Sequence, residues 1–305
     1  MNFKITILLL IALLSVSISP IVAKMLVNVP AVSISFWRMF IGSLALWIFS
    51  IFFNQGRFED KNNFFRTILS GILLGIHFVL FFQAIKLTYI ANATFLGTLA
   101  PLFTLIFEII FLKRKFKIQF IISLIIAFSG AILILSKDFN LSTQFTYGNI
   151  MAILCSIVLA VSFMIAEKVR QAEKTVVYTR TLYLSASITL LFIAFFQDAE
   201  MIRFTYIDYF GLIILGLIPT LIGHNSFYYA VKYISPTIVS AFPIGEPILA
   251  SILAYFIFSE VVGLNIIFGG ILTFSGLIFL SIQNFNNNIE EDIIEKDEKN
   301  LFKKT

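Results

Sequence analysis

The stretch FPIGEPILA, residues 242–250, sets an acid between two prolines inside an apolar run from Pro236 to Phe258. A core helix of a soluble protein has no use for it. Each interior proline removes a backbone hydrogen bond, and a buried carboxylate needs a partner or loses its charge. The surrounding chain supplies a different setting. Of its 305 residues 59% are hydrophobic and 13% charged, against about 25% charged in a soluble domain. The charges are clustered, and the runs between them match the roughly 17–25 residues that carry a helix across a bilayer. An all-α polytopic membrane protein follows, with the lipid bilayer as its surroundings.

Ten spans are expected: Ile5–Val27, Val32–Phe53, Thr67–Leu87, Ala91–Leu112, Ile118–Leu135, Asn149–Ile165, Tyr178–Phe196, Tyr209–Val231, Pro236–Phe258 and Gly263–Ile282. Basic residues decide orientation. With the N-terminus in the cytoplasm, 17 of the 22 lysines and arginines lie inside, among them Lys113-Arg114-Lys115 and Lys117; the other five are Lys24, Arg38, Lys86, Lys137 and Arg203. Both termini are then cytoplasmic, as an even span count requires, and the expected location is the plasma or inner membrane. The first apolar run, Ile5–Ala23, is too long for the roughly 7–15-residue core of a signal peptide, so it reads as a retained span. Residues 284–305 are polar, mixed in charge and read as a solvated tail.

A shift of 146 residues brings the halves into register. Phe81 falls on Phe227, Ala84 on Ala230, Lys86 on Lys232, Pro101 on Pro247, and Phe128-Ser129-Gly130 on Phe274-Ser275-Gly276. Residues 1–136 and 147–283 thus read as two five-helix repeats. Because five is odd, they cross the membrane in opposite senses, an arrangement typical of secondary transporters.

Residues 75–116 and 217–260 carry the resemblance to a known family: the Ala-Xxx-Lys ends of the third and eighth spans, the mid-helix Pro101 and Pro247, and Glu246-Pro247 followed by Glu260. In these the chain resembles the EamA-type permeases of the drug/metabolite transporter superfamily, over nearly all of residues 1–283. The resemblance implies ten helices in two inverted units and transport of small metabolites, including amino acids and their derivatives. It does not imply a particular substrate. Lys113-Arg114 stands where the family usually carries an acid after the fourth span.

The intramembrane polar residues are the candidates for substrate binding or coupling. Glu246 lies about 15 Å deep at 1.5 Å per residue, and an intramembrane acid is by default a functional group. Exchange of a proton, binding of a substrate amine, and a neutral hydrogen-bonded acid all remain open for it. His224, with Asn225 beside it, falls at nearly the same depth, so a His224–Glu246 contact is sterically allowed. His77 sits near the middle of the third span. Arg38, after Trp37, either grips a substrate carboxylate or snorkels to the outer interface. Pro101, Pro243 and Pro247 free the carbonyls of Gly97, Val239 and Pro243. Helix breaks at matching places in two halves point to a site at the repeat interface, although packing kinks would look the same. Glu108 is expected to pair with Lys113 or snorkel, and Glu167 to sit at the interface beside Lys168. Gly71 and Gly75 read as a close-packing pair.

Other classes find little support. One cysteine and two histidines do not make a zinc site, and no cofactor is implied. The chain has no Walker motif, no Gly-Xxx-Ser-Xxx-Gly elbow and no His-Glu-Xxx-Xxx-His, so neither ATP hydrolysis nor intramembrane proteolysis is expected. The net charge of +5 reflects loop lysines and arginines, not a nucleic-acid surface. A receptor or scaffold without flux remains the alternative to a permease.

Overall fold

The computed structural model describes residues 3–88, 90–135, 146–258, 263–265, 267–280 and 282. Glu260, the 136–145 connection and the tail from Asn284 lie outside the described residues. Every regular element described is helical. The helices are α1 (Phe3–Val16), α2 (Ile18–Met25), α3 (Ala31–Phe52), α4 (Lys61–Leu87), α5 (Ile90–Gly97), α6 (Ala100–Leu112), α7 (Ile118–Leu135), α8 (Thr146–Arg170), α9 (Thr175–Phe196), α10 (Tyr206–Leu215), α11 (Asn225–Ala230), α12 (Pro236–Ala241) and α13 (Glu246–Phe258). A further apolar helix, α14, runs over Ile267–Leu280.

Among the described residues, eight helical stretches are long and apolar enough to cross a membrane: Phe3–Met25, Ala31–Phe52, Lys61–Leu87, Ala93–Leu112, Thr146–Arg170, Thr175–Phe196, Tyr206–Ala230 and Pro236–Ile257. They make the chain a multi-pass membrane protein. The shorter α7 and α14 stand where the fifth and tenth spans are expected. Helix is forced here because hydrocarbon offers the backbone no hydrogen-bond partner. The third span starts at Lys61 rather than Thr67 because Asp60 Oδ1 accepts from Asn62 N–H at 2.9 Å and caps six more residues, Lys61–Arg66, into the helix.

The bundle is apolar outside and partly polar within. Phe192, Phe195, Phe196 and Phe256 are exposed, as befits side chains that meet lipid. Ser70, Ser162, Tyr178 and Tyr228 are buried, and Ser70 Oγ lies 2.8 Å from Tyr178 Oη and 2.9 Å from Ser162 Oγ. Small residues let the helices close on one another. A methyl group on Gly75 would stand 3.0 Å from the carbonyl oxygen of Ala186, so the Gly71/Gly75 pair seats α4 on α9.

Four spans are interrupted. The first is offset at Ser17, whose Oγ donates to Leu13 O at 2.7 Å. The fourth breaks between Gly97 and Ala100, ahead of Pro101. The ninth narrows to a 3₁₀ turn over Phe242–Gly245. The carbonyls that Pro243 and Pro247 were expected to leave open are not open: Val239 O accepts from Phe242 N–H and Pro243 O from Glu246 N–H. Tightening to three-residue hydrogen bonds satisfies them locally. The eighth span, not expected to break, is π-helical over Gly216–His224, around Pro219. Pro219 cannot donate to Leu215 O, and the Thr220 hydroxyl does so instead at 2.9 Å.

Contacts between the halves recur when both partners are exchanged by the 146-residue shift. A methyl on Gly130 would lie 2.6 Å from Gly269 O, and one on Gly276 would lie 2.8 Å from Ser123 O. Gly130 and Gly276 are 146 apart, and so are Ser123 and Gly269. The same shift carries Phe78 to His224, and these two rings pack edge to face with centroids 5.1 Å apart.

Candidate functional site

The broken spans converge on one small buried cavity. Its walls include Arg38, His77, Gly97, His224, Pro243 and Glu246, closed by Phe78, Phe81 and Phe227. Residues on both sides of the 136–145 connection contribute.

Arg38 does not snorkel. Its side chain is 1% exposed. Nε donates to Thr220 Oγ1 at 3.0 Å and Nη1 to Ser19 Oγ at 3.1 Å, while the guanidinium carbon sits 4.3 Å from the centre of the Phe78 ring. The anchoring follows from the sequence of the eighth span. Pro219 frees Leu215 O, the Thr220 hydroxyl donates to it, and the same oxygen then accepts from Arg38. Nη2 is buried with no hydrogen-bond partner among the described residues, and no carboxylate lies within ion-pair distance of the guanidinium among them. One donor of a fixed cation is left over.

Glu246 is the acid of the cavity. It is the first residue of α13, where the helix start favours an anion. It is 8% exposed, and its carboxylate makes no hydrogen bond among the described residues. His77 Nδ1 donates to the carbonyl of Cys155 at 3.0 Å, which leaves Nε2 as the acceptor of the neutral ring. His224 Nδ1 is buried without a partner among the described residues. His224 and Glu246 border the same cavity but are not hydrogen-bonded to each other.

Two sequence candidates stand apart. Trp37 faces away from the cavity: its Nε1 donates to Met201 O at 2.8 Å and its ring packs edge-on against Tyr209. Asn225 borders a second, roomier cavity of about 560 Å³ with Arg170, Lys174 and Lys232. Both are separated from their neighbours Arg38 and His224 for the same reason: consecutive helical residues do not share a face. Of the helix-break residues, Gly97 and Pro243 border the central cavity, whereas Pro101 and Pro247 are each the second residue of a helix, α6 and α13.

The π-helical turn therefore ends on a partition. His224 and Phe227 face the central cavity, and Asn225, Ser226 and Tyr229 face the larger one. The central cavity measures only about 50 Å³, room for one or two waters against the roughly 300 Å³ or more of a ligand pocket. The helices are drawn together around the charged groups.

The acidic and basic groups around Lys113 pair differently from the sequence expectation. Glu108 is fully buried and neither snorkels nor pairs with Lys113. Lys113 adopts a left-handed turn, φ 51°, that swings Arg114 back over α6. Arg114 Nη1 then lies 3.4 Å from Glu108, and Nη2 lies 2.6 Å from Glu167 on α8. Glu108 also accepts from Thr237 N–H at 3.2 Å, which caps α12. Thr104 Oγ1 meets Ser240 Oγ at 3.1 Å just above.

Comparison with known proteins gives a consistent picture. Residues 3–136 and residues 146–282 each match the model of the EamA-like transporter family. An S-adenosylmethionine uptake transporter of Rickettsia bellii is 24% identical over 89% of this chain and 91% of its own. A pseudopaline exporter of Pseudomonas aeruginosa is 23% identical over 83% and 87%, and an uncharacterized transporter of Archaeoglobus fulgidus is 23% identical over 81% and 85%. A solved crystal structure superposes with a TM-score of 0.78, covering 93% of this chain and 99% of its own at 15% identity, which speaks for the fold alone.

Proposed function

Since the chain belongs to the EamA-like transporter family and is a membrane transporter rather than an enzyme, we propose that it moves small zwitterionic metabolites, amino acids or their derivatives, by alternating access between two inverted five-helix repeats, residues 1–136 and 147–283. One observation carries the substrate class: a single buried cavity holds a guanidinium with a spare N–H, Arg38, and a carboxylate with no hydrogen bond, Glu246. A carboxylate of the substrate takes Arg38 Nη2. An amine, or a proton in its absence, takes Glu246. His77 Nε2 and His224 supply further polar contacts when the cavity opens.

The inverted arrangement is supported by the reciprocal contacts. Gly130 on Gly269, Gly276 on Ser123, and Phe78 on its own counterpart His224 are what a two-fold relation between the halves produces. With both termini in the cytoplasm, the cavity beside Asn225 opens on the cytoplasmic side. The α11 partition is then the inner barrier, hinged on the π-helical turn. Such turns concentrate at functional sites.

The test of the reading is flux of labelled amino acids and nucleobases into liposomes holding the purified protein, with and without a proton gradient. Amino-acid flux that needs the protein supports it. Flux of nucleobases alone, or no flux of either, removes the zwitterion reading. Within that assay, Arg38→Lys keeps the charge but not the fork that spans Thr220, Ser19 and a substrate. We expect at least about a tenfold loss of flux, with neutral amide analogues of the substrate affected least; equal loss for amides would place Arg38 in packing only. For topology, reporter fusions at Asn140 should read external and fusions after Gln283 cytoplasmic. A cytoplasmic reading at Asn140 would overturn the inverted repeats.

A further inference from the structure

A roomy groove among the described residues belongs to no part of the transport site. It is a groove of about 1180 Å³ between α3, α4 and α9, beside the turn that joins α3 to α4. Its volume exceeds that of the usual ligand pocket, roughly 300–1,000 Å³. One end is apolar, walled by Ile72, Ile188 and Phe192, side chains whose exposed faces meet lipid in a membrane. The other end holds Arg57 and Arg180.

Arg180 is 6% exposed. Its guanidinium stacks 4.4 Å above the Trp47 ring, donates through Nη2 to Gly56 O at 2.7 Å, and donates through Nη1 to Ser50 Oγ. All of these partners are neutral. Its Nε, like the indole N–H of Trp47, is buried without an acceptor among the described residues. Neither Arg180 nor Arg57 has a carboxylate within ion-pair range among the described residues. The neighbouring acids do not pair with them among the described residues: Asp60 caps α4, Glu173 is turned toward Asn63 and the Asp60 N–H, and Glu59 makes no ion pair with either arginine. The groove thus has two cations, unsatisfied donors and no anion, at the rim of an apolar trough open to the bilayer.

From this juxtaposition we propose that the groove is a binding site for one anionic phospholipid, its phosphate between Arg57 and Arg180 and its acyl chains along α4 and α9. A membrane lipid rather than a free anion is the occupant because most of the lining is apolar and lipid-facing. Basic pockets between spans take anionic head groups for the same reason.

Trp47 reports the site directly, since the chain has only two tryptophans. In Trp37→Phe protein Trp47 is the sole emitter. Reconstituted in phosphatidylcholine vesicles, its fluorescence is titrated with brominated phosphatidylglycerol or with brominated phosphatidylcholine. Half-quenching should need an about fivefold lower mole fraction of the anionic lipid, the effect expected of a basic side chain at an anionic surface. Adding Arg57→Gln and Arg180→Gln should make the two lipids equal. Arg57→Gln alone, an exposed change without an intramolecular partner to lose, should weaken the preference at least twofold, so the test survives if the double variant does not fold. Equal quenching by both lipids in the parent, or a preference unchanged by Arg57→Gln, overturns the site. Relief of quenching by millimolar inorganic phosphate would make it a free-anion site and overturns the lipid assignment.

Discussion

Glu246→Gln is expected to lower gradient-driven transport at least about tenfold, roughly 1.4 kcal/mol of lost coupling, in a protein that still folds. The carboxylate borders the central cavity, is 8% exposed and makes no hydrogen bond among the described residues. Glutamine keeps its shape, so nothing in the packing changes. The nearest guanidinium, Arg38, keeps its bonds to Thr220 and Ser19 and is left no more unpaired than before. What disappears is the negative charge and the ability to take up a proton. The pH dependence of flux should therefore flatten. The measurement is proteoliposome uptake across a range of pH, beside thermal unfolding of the same preparation. Parental flux with the parental pH profile would make Glu246 a structural acid.

The second large effect is on folding, and it uses one substitution at two sites on α14. Gly276→Ala should cost about 2–3 kcal/mol, within the range for overpacking a tight contact, whereas Gly270→Ala should be neutral or slightly stabilising. A methyl on Gly276 would fall 2.8 Å from Ser123 O and from the Cα of Ala127, backbone that cannot rotate away. A methyl on Gly270 meets only the Ile248 side chain at 3.4 Å, and alanine outranks glycine in a helix by about 1 kcal/mol. Thermal unfolding in detergent measures both. Equal midpoints would show that α7 and α14 are not held at this contact.

Much of the architecture was legible because its causes are local. Apolar runs between charge clusters give the spans, and prolines give the breaks at 97–100 and 242–245. The same logic reached Glu246, His77, His224, Gly97 and Pro243, which meet at one cavity. Trp37 and Asn225 were misplaced by adjacency: each was grouped with its sequence neighbour, although a step of one residue turns about 100° around a helix. That error was avoidable from the sequence. The burial of Arg38 was not, because its anchors are Ser19 and Thr220, on other spans. Nor was the π-helical turn. Pro219 signals a missing hydrogen bond, but whether the chain kinks, tightens or widens there depends on the Thr220 hydroxyl taking the orphan carbonyl. The same holds for Glu108, whose partner was read as Lys113. Only the left-handed turn at Lys113 reveals that the next residue, Arg114, is the one that returns.

The facing rings of Phe78 and His224 carry a consequence for energetics. In a duplicated transporter with identical halves, the inward-facing and outward-facing forms would be degenerate, each the rotated image of the other. Only non-identical residues can lift that degeneracy. A position in contact with its own counterpart lies on the axis itself, so an exchange there alters both forms through one contact. Under the proposed alternating access, phenylalanine on one side and imidazole on the other would give the two forms unequal desolvation and hydrogen-bonding terms. Swapping the pair, with histidine at 78 and phenylalanine at 224, would preserve composition and volume while reversing the sign of that bias.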